Sequence, residues 1–476
     1  MRLRFLTALA AGLLSAATVS ADVKLPHLFS EHMVLQQQAA ANIWGWADKD
    51  EEVTVTLGDA KATAKGDENG KFKAVLKTPA AGGPFELKVA GKNTITIGDV
   101  YVGEVWLASG QSNMEWRVKQ CANPQEEAAN AKYPLIREFF VPHVTADKPA
   151  DDVNAKWTVC SPETAPNFSA VAYYFAREIH KELNVPVGII NSSWGGTICE
   201  AWASRPALEA VADFKPILDR GKEYKAGNPN QACNLYNAMI APLVPYTFKG
   251  ALWYQGESNR DRALQYRTLF PAMITDWRKQ FGQGDFPFLF VQLAPYTYVR
   301  DKNPALDAQR EKLPEIWESQ TATLSLANTG MAVTTDITEI GDIHPKNKQD
   351  VGKRLSLWAL AKTYGKDRPY SGPLYKSSAV ENNAIRIKFD HAEGLNAKSD
   401  QPLTHFTICG EDKKWVPAKA KIDGNTVVVS ADDVAKPVAV RFAWTETAEP
   451  NLFNKAGLPA SPFRTDDFPL VTKDAK

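Results

Sequence analysis

Five short apolar runs in the middle of the chain most constrain its fold. They lack the strict alternation of a half-exposed strand, and stretches with helical periodicity lie between them, such as 170–183, or follow the last of them, such as 348–363. Strands buried on both faces and joined by helices form a parallel sheet with helical layers on either side. The runs are 102–108, 187–190, 250–254, 286–293 and 331–335. We therefore predict an α/β/α domain over residues 99–365.

Both flanks of this region alternate apolar and polar residues with a period of two. Residues 53–57, 85–89 and 94–97 do so before it, and 384–389, 426–429 and 438–442 do so after it. Asn69-Gly70 directly precedes the alternating run 71–75, which predicts a β-hairpin, since both residues accept positive φ. We predict sandwich-like all-β domains over residues 22–98 and 366–476.

The first 21 residues have the pattern of an export signal. Arg2 and Arg4 precede an apolar stretch over residues 5–19, and small residues end it at Ala21. A membrane anchor is the alternative, but the stretch falls short of the ~20 apolar residues that a span needs. We predict cleavage near Ala21, export to the periplasm or the extracellular space, and no membrane span in the mature chain.

Charge and cysteine usage exclude several classes of protein. The 55 basic and 55 acidic side chains cancel, so the sequence offers no basic excess for nucleic acid. Seven histidines and five cysteines show no zinc-ligand spacing, and there is no glycine-rich phosphate loop. We expect neither a metal nor a cofactor. In an exported protein one or two disulfides could form, but the spacing does not fix their pairing.

Polar clusters follow the apolar runs where each predicted strand ends. They are 109–113, 191–196 and 255–259, with Asp336 and the segment 342–345 after the last run. Because the carboxyl ends of parallel strands meet at one edge of a sheet, these clusters should converge. They contain the residue types of acyl transfer, which needs a nucleophilic hydroxyl, an imidazole base, a carboxylate and oxyanion donors. The candidates are Ser112, His344, Asp342, Gly195, Gly196 and Gln255.

Four of these motifs together carry a family resemblance. Gly110-Gln-Ser-Asn113, Gly195-Gly196-Thr197, Gln255-Gly-Glu-Ser-Asn259 and Asp342-Ile-His-Pro345 resemble the SGNH hydrolase superfamily, and within it the sialate O-acetylesterase group of carbohydrate esterases. The resemblance implies a flavodoxin-like SGNH domain between β domains, which removes O-acetyl groups from sugars without a metal. It makes Ser112 the nucleophile, with its own N–H in the oxyanion hole, and His344 the base.

The same resemblance leaves other roles open. The second block places an oxyanion donor at Gly195 or Gly196, and the third places an amide at Gln255, with Asn259 as the fallback. The superfamily often has Asp three residues before His, whereas Asp342 lies two before His344. Asp336, or a main-chain carbonyl in a Ser–His dyad, is therefore an alternative to Asp342.

Several further side chains are candidates for substrate contact. They are Trp194, Trp253, Glu257, Asn259 and Arg117. Indole rings stack on sugars, although most tryptophans serve packing, and Glu257 could instead tie loops together. Arg117 would suit an acidic sugar such as sialic acid, whereas a neutral polysaccharide would need no such cation.

We therefore expect a secreted serine esterase that removes O-acetyl groups from carbohydrates, most consistently a sialate O-acetylesterase that forms an acetyl-enzyme on Ser112. The alternatives are an acetyl xylan or hemicellulose esterase of the same family, a catalytically silent carbohydrate-binding protein, and a lipase with an apolar acyl channel. The expected partner is an O-acetylated glycan.

Overall fold

The N-terminal strands form two sheets that share one apolar core. A computed structural model describes residues 22–221, 223–398 and 401–476, so the predicted export signal lies outside the described residues. Strands β3, β4, β6 and β7 pair antiparallel in one sheet, and β2 pairs with β5 in the other. The first strands are β1 (Val34–Gln36), β2 (Ala40–Trp46), β3 (Glu52–Leu57), β4 (Ala60–Lys65), β5 (Lys71–Lys77), β6 (Gly82–Ala90) and β7 (Thr94–Gly110).

The turn at Asn69-Gly70 does not close the predicted hairpin. β5 pairs with β2, while β4 pairs with β3, so the turn carries the chain from one sheet to the other. The segment is nonetheless a tight turn, because the Asp67 carboxylate accepts hydrogen bonds from the N–H groups of Asn69 and Lys71 at 2.8 and 2.9 Å. The prediction of a hairpin was wrong because turn residues specify a reversal but not the partner strand.

Strand β7 joins the N-terminal sheet to the central one. Its first half pairs antiparallel with β6, and its second half lies between β10 and β11 in parallel register. The predicted boundary between residues 98 and 99 therefore falls inside a continuous strand. The buried residues of both regions belong to one apolar cluster.

The central sheet runs in the order β13-β12-β11-β7-β10-β8-β9, parallel except for β9. Its strands are β7, β8 (Ile136–Phe140), β9 (Trp157–Val159), β10 (Val187–Ser193), β11 (Gly250–Tyr254), β12 (Phe288–Val291) and β13 (Thr329–Ala332). The helices are α1 (Ser112–Glu115), α2 (Pro124–Ala129), α3 (Ala170–Leu183), α4 (Arg205–Glu209), α5 (Lys215–Arg220), α6 (Ala263–Phe281), α7 (Asp307–Arg310), α8 (Lys312–Ala322) and α9 (Lys348–Trp358), which a π-turn extends over Ala359–Thr363. The five predicted apolar strands and the two predicted helices are confirmed.

Two indole rings show that helices cover both faces of this sheet. Trp106 of β7 packs on Phe175 of α3, at 4.8 Å between ring centroids. Trp253 of β11 packs on Trp277 of α6 at 5.7 Å. The parallel register pairs Trp253 with Ser109, which lies three residues after Trp106. Because successive side chains of a strand point to opposite faces, the two indoles project from opposite faces of the sheet.

The C-terminal strands build separate all-β sheets around a second core. They pair as β14-β15-β20-β19, β18-β17-β21-β23 and β16-β22. The final segment returns to the helices of the central region, where Thr472 donates to Glu315. Within the described ranges no helix is both long and apolar enough to span a bilayer. These strands are β14 (Leu374–Glu381), β15 (Ala384–Asp390), β16 (Asn396–Ala397), β17 (Phe406–Cys409), β18 (Val416–Pro417), β19 (Lys419–Asp423), β20 (Thr426–Ser430), β21 (Ala439–Phe442), β22 (Leu452–Phe453) and β23 (Phe463–Arg464).

Candidate active site

A serine and a histidine meet at the carboxyl edge of the parallel sheet. Ser112 begins α1 directly after β7, and His344 lies on the loop between β13 and α9. Ser112 Oγ and His344 Nε2 are 2.9 Å apart, although 232 residues separate them in the chain. Gly110 makes this turn possible, because its φ is +135° and a Cβ there would lie 2.2 Å from the Tyr254 carbonyl oxygen. The pair has the geometry of a nucleophile and its general base.

Asp342 supports His344 mainly through the backbone. Its Oδ1 accepts the His344 N–H at 2.9 Å and lies 3.7 Å from the ring nitrogen Nδ1, beyond hydrogen-bond range. The rival carboxylate of Asp336 forms a bidentate pair with Arg354 at 2.6 and 2.7 Å, which directs it away from the imidazole. In the described part of the chain Asp342 is thus the carboxylate that faces His344, at ion-pair distance.

The surroundings of His344 favour a neutral imidazole. Burial lowers its pKa, the nearby Lys348 ammonium lowers it further, and Asp342 opposes both. Trp116 stacks on the ring with centroids 4.4 Å apart and planes 13° apart, which fixes its orientation. A neutral ring can accept the proton of Ser112 near neutral pH.

Behind the Ser–His pair lies a buried polar network that the motif analysis missed. Lys348 Nζ donates to Asn113 Oδ1 at 2.6 Å. Asn113 Nδ2 in turn donates to Glu257 Oε1 at 2.6 Å and to the Ile343 carbonyl at 3.0 Å. Burial lowers the pKa of Lys348 to about 8 and raises that of Glu257. Lys348 is the first residue of the predicted helical stretch 348–363, but only the fold shows its partners.

Glu257 was predicted to contact substrate, and the structure places it in this network instead. Its carboxylate accepts a hydrogen bond from Asn113, the residue after Ser112. This agrees with the alternative that Glu257 ties loops together.

Two amide side chains predicted as oxyanion donors or substrate contacts are instead bonded to other protein groups. Gln255 is fully buried, and its amide nitrogen donates to the Thr197 carbonyl at 3.1 Å and to Asn259 Oδ1 at 2.7 Å. Asn259 donates to Glu200 at 2.8 Å and accepts the Cys199 N–H at 2.9 Å. Because both N–H groups of Gln255 are engaged, it has no donor left for an oxyanion. The predicted roles of Gln255 and Asn259 therefore do not fit the structure.

The two glycines after β10 differ in their hydrogen bonding. Gly195 lies against Ser112, since a Cβ on it would be 3.2 Å from Ser112 Cβ, but its N–H donates to Glu115 Oε2 at 2.8 Å. Gly196 has φ +75°, and its carbonyl accepts a hydrogen bond from Asn230. We find no protein acceptor for the N–H of Gly196 or Ser112 within the described ranges.

The remaining candidates divide between the cleft and the core. Trp253 is completely buried against α6 and cannot contact a substrate, which corrects that prediction. Trp194 is partly exposed and stacks on His143 at 4.4 Å. The Arg117 guanidinium lies 5.6 Å above the Phe140 ring, and among the described residues we find no ion pair for it. Trp194 and Arg117 therefore remain available to a ligand.

No cysteine side chain hydrogen-bonds to the Ser–His pair or to Lys348, Asn113 or Glu257 in the described chain. All five are buried and free, so the structure contains no disulfide between them. Burial raises the pKa of Cys121 to about 12, as expected for an unreactive thiol. Over the described ranges no group of three or more His, Cys, Asp and Glu side chains is arranged to hold a metal ion.

Comparison with known proteins decides the family of this site. A family described as carbohydrate esterase, sialic acid-specific acetylesterase, matches residues 102–360, which hold the whole Ser–His site. The chain belongs to this carbohydrate esterase family. It is 32% identical to the sialate O-acetylesterase of Mus musculus over 95% of this chain and 96% of that protein. The Homo sapiens sialate O-acetylesterase is 33% identical over 90% of each.

A solved structure agrees with this membership. A carbohydrate acetylesterase from Xanthomonas citri is 38% identical and superposes with a TM-score of 0.86, over 94% of this chain and 100% of that one. This carbohydrate esterase is thus a carboxylic ester hydrolase, with a central mixed sheet and additional all-β sheets. The alternative of a catalytically silent binding protein has no support from these relatives.

Proposed function

We propose that this protein is a serine esterase of the SGNH type that removes O-acetyl groups from sialic acid through an acetyl-enzyme on Ser112. The observation that carries the proposal is the 2.9 Å contact between Ser112 Oγ and His344 Nε2 at the carboxyl edge of the sheet. The match to sialate O-acetylesterases over nearly the whole chain supports the substrate class.

In the proposed reaction His344 takes the proton of Ser112 as Oγ attacks the acetyl carbonyl carbon. The tetrahedral intermediate collapses as the bond to the sugar oxygen breaks, and His344 returns the proton to that oxygen. A water molecule, deprotonated by His344, then attacks the acetyl-enzyme and releases acetate and free Ser112. Asp342 holds the backbone of His344 in place, and its charge favours the imidazolium in the transition state.

Arg117 supports an acidic sugar over a neutral one. Its half-buried guanidinium has no carboxylate partner within ion-pair distance in the described chain, and it lies near Glu115 and Phe140 at the site. A sialate carboxylate could form a bidentate pair there. The partly exposed rings of Trp116 and Trp194 would suit neutral acetylated hemicellulose equally well, which keeps acetyl xylan as the second candidate.

The test measures acetate release from O-acetylated sialic acid and from acetylated xylan. We expect wild type to prefer the sialate, Ser112→Ala to lose activity on both, and Arg117→Ala to lose activity on the sialate alone. Equal losses on both substrates in Arg117→Ala would contradict the acidic-sugar assignment. Full activity in Ser112→Ala would contradict the serine mechanism.

We also propose that the protein is exported, on the basis of the signal pattern over residues 1–21. Mass spectrometry of the protein from the periplasm or medium should find a chain that begins at Asp22. Recovery of the intact chain from the cytoplasm alone would contradict export.

A further inference from the structure

A second carboxylate–imidazole pair lies beside the nucleophile. Glu115 ends the same helical turn that Ser112 begins, and its Oε1 lies 3.3 Å from His143 Nε2. Its other oxygen accepts the Gly195 N–H at 2.8 Å. Burial alone would raise the pKa of Glu115, but His143, the Gly195 N–H and Arg117 outweigh it and hold the pKa below its usual value. Glu115 is therefore ionised near neutral pH, next to the acyl-transfer site.

These contacts fix both sides of the turn that follows β10. His143 Nε2 also lies 3.1 Å from the Ser193 carbonyl oxygen, at the end of the strand. The His143 ring is parallel to the Trp194 indole, with centroids 4.4 Å apart and planes 4° apart. Glu115 thus binds Gly195 directly and reaches Ser193 and Trp194 through His143. A turn restrained at three successive residues has little freedom to re-aim its N–H groups.

The two glycines differ in whether their N–H groups are free to bind an oxyanion. A hydrogen bond from Gly195 to an ionised carboxylate is strong, since charged acceptors roughly double the strength of such bonds. Breaking it to bind an oxyanion would remove the backbone partner of Glu115 Oε2 and place a second negative charge beside the carboxylate. Gly196 has no such acceptor in the described chain, and its φ of +75° is a conformation that favours glycine.

We propose that Glu115 is a positioning residue that, with His143, aims the Gly196 N–H at the oxyanion and withholds the Gly195 N–H from it. The oxyanion donors are then the backbone N–H groups of Ser112 and Gly196. Glu115 acts through the turn and does not touch the acyl group. This inference rests on the proposed serine mechanism, because it assigns donors to the oxyanion of that reaction.

The test compares Glu115→Ala and Glu115→Gln in kcat and KM for 4-nitrophenyl acetate. Loss of one oxyanion donor costs roughly 10²–10³ in kcat in other serine hydrolases, so we expect about a 10²-fold fall in kcat for Glu115→Ala. KM should change little, because the interaction is made in the transition state. Glu115→Gln keeps an acceptor for Gly195 and should recover kcat to within about tenfold of wild type. Glu126→Ala, an exposed glutamate on α2, is the matched control and should leave both constants unchanged.

Three outcomes would overturn the proposal. A rise in kcat for Glu115→Ala would mean that the carboxylate competes with the oxyanion for Gly195. An unchanged kcat would mean that the turn needs no restraint. A rise in KM that matches the whole loss in kcat/KM would mean that Glu115 binds ground-state substrate.

Two controls keep the result interpretable. If Glu115→Ala fails to fold by circular dichroism, Glu115→Gln and His143→Gln decide, and the proposal requires a lower kcat with unchanged KM in His143→Gln. Labelling of wild-type Ser112 by a fluorophosphonate tests the serine mechanism separately. A labelled Ser112 together with an unchanged kcat in Glu115→Ala would contradict only the role of Glu115. An unlabelled Ser112 would contradict the serine mechanism on which that role rests.

Discussion

Replacing Asp342 with Asn should reduce kcat much less than replacing His344. The substitution removes the negative charge but keeps an oxygen that can accept the His344 N–H, which Asp342 binds at 2.9 Å. It therefore tests what the charge does for the imidazolium in the transition state and leaves the loop in place.

The expected size follows from the distance and the exposure. Two unit charges at the 3.7 Å between Asp342 Oδ1 and His344 Nδ1 interact by about 4.5 kcal/mol at an effective dielectric constant of ~20, and by about 1.1 kcal/mol in bulk water. The Asp342 side chain is 41% exposed, so solvent screening moves the value toward the lower limit, to about 1–2 kcal/mol. That range corresponds to a fall in kcat of roughly 5- to 30-fold.

The assay is steady-state hydrolysis of 4-nitrophenyl acetate as a function of pH, with His344→Ala and Glu339→Gln beside Asp342→Asn. His344→Ala should lose roughly 10²–10⁴ in rate. Glu339→Gln changes an exposed carboxylate on the same loop, whose partner Lys346 lies 3.6 Å away, and should stay within about twofold of wild type. Because Asp342 raises the pKa of His344, its loss should move the acid limb of the profile to lower pH.

Two results would refute this reasoning. A loss near 10⁴ in Asp342→Asn would mean that the working enzyme closes the 3.7 Å gap into a buried, direct hydrogen bond. A loss below twofold, with no shift of the acid limb, would mean that Asp342 only holds the loop.

Three further predictions follow from the same contacts. Burial lowers the pKa of His344, so kcat/KM of wild type should fall on acidification only below the ordinary histidine value of about 6.5. Lys348→Met removes a neighbouring positive charge and should move this acid limb of the pH profile to higher pH, and a shift to lower pH would contradict the assigned charge effect. Trp116→Ala removes a stacked partner worth roughly 0.5–1.5 kcal/mol and should lower kcat about two- to tenfold with little change in melting temperature, whereas an unchanged kcat would show that the stack does not orient the ring. Five thiols should react with an aromatic disulfide reagent in denaturant without reductant, and almost none in the native protein; a lower count in denaturant would reveal a disulfide.

Sequence periodicity predicted five of the seven strands in the central sheet, because those five are mostly apolar. It missed the three-residue β9 and it missed β8, since Ile136–Phe140 carries Arg137 and Glu138, both nearly fully buried. Arg137 donates to the Asp99 carbonyl at 2.7 Å, and Glu138 accepts the Ser169 N–H at 3.0 Å. Two charges in five residues hide a buried strand from any hydrophobicity pattern, because the partners that make their burial tolerable come from elsewhere in the chain.

The same limit explains which site residues the sequence could identify. Ser112 and His344 became candidates because strand ends converge and acyl transfer needs those side chains, and the family resemblance then implied their roles. Gln255 and Asn259 satisfied the same criterion, yet they bond to each other and to Glu200 from the loop after β10. Position at a strand end brings a residue to the right edge of the sheet. The direction of its side chain depends on partners that only the fold supplies.

The modest part assigned to Asp342 raises the question of what else holds Ser112 and His344 together. Asn113 follows Ser112 and donates to the carbonyl of Ile343, the residue before His344, at 3.0 Å. The Asn113 side chain thus links the two segments that carry Ser112 and His344. Lys348 Nζ orients this side chain by donating to its Oδ1 at 2.6 Å. Burying an ammonium costs several kcal/mol, so a neutral anchor would be more stable. Lys348 also lowers the pKa of His344, which a neutral anchor would not do. The buried lysine therefore serves the proposed reaction in two ways: through Asn113 it helps to fix the Ser–His distance, and through its charge it keeps His344 unprotonated.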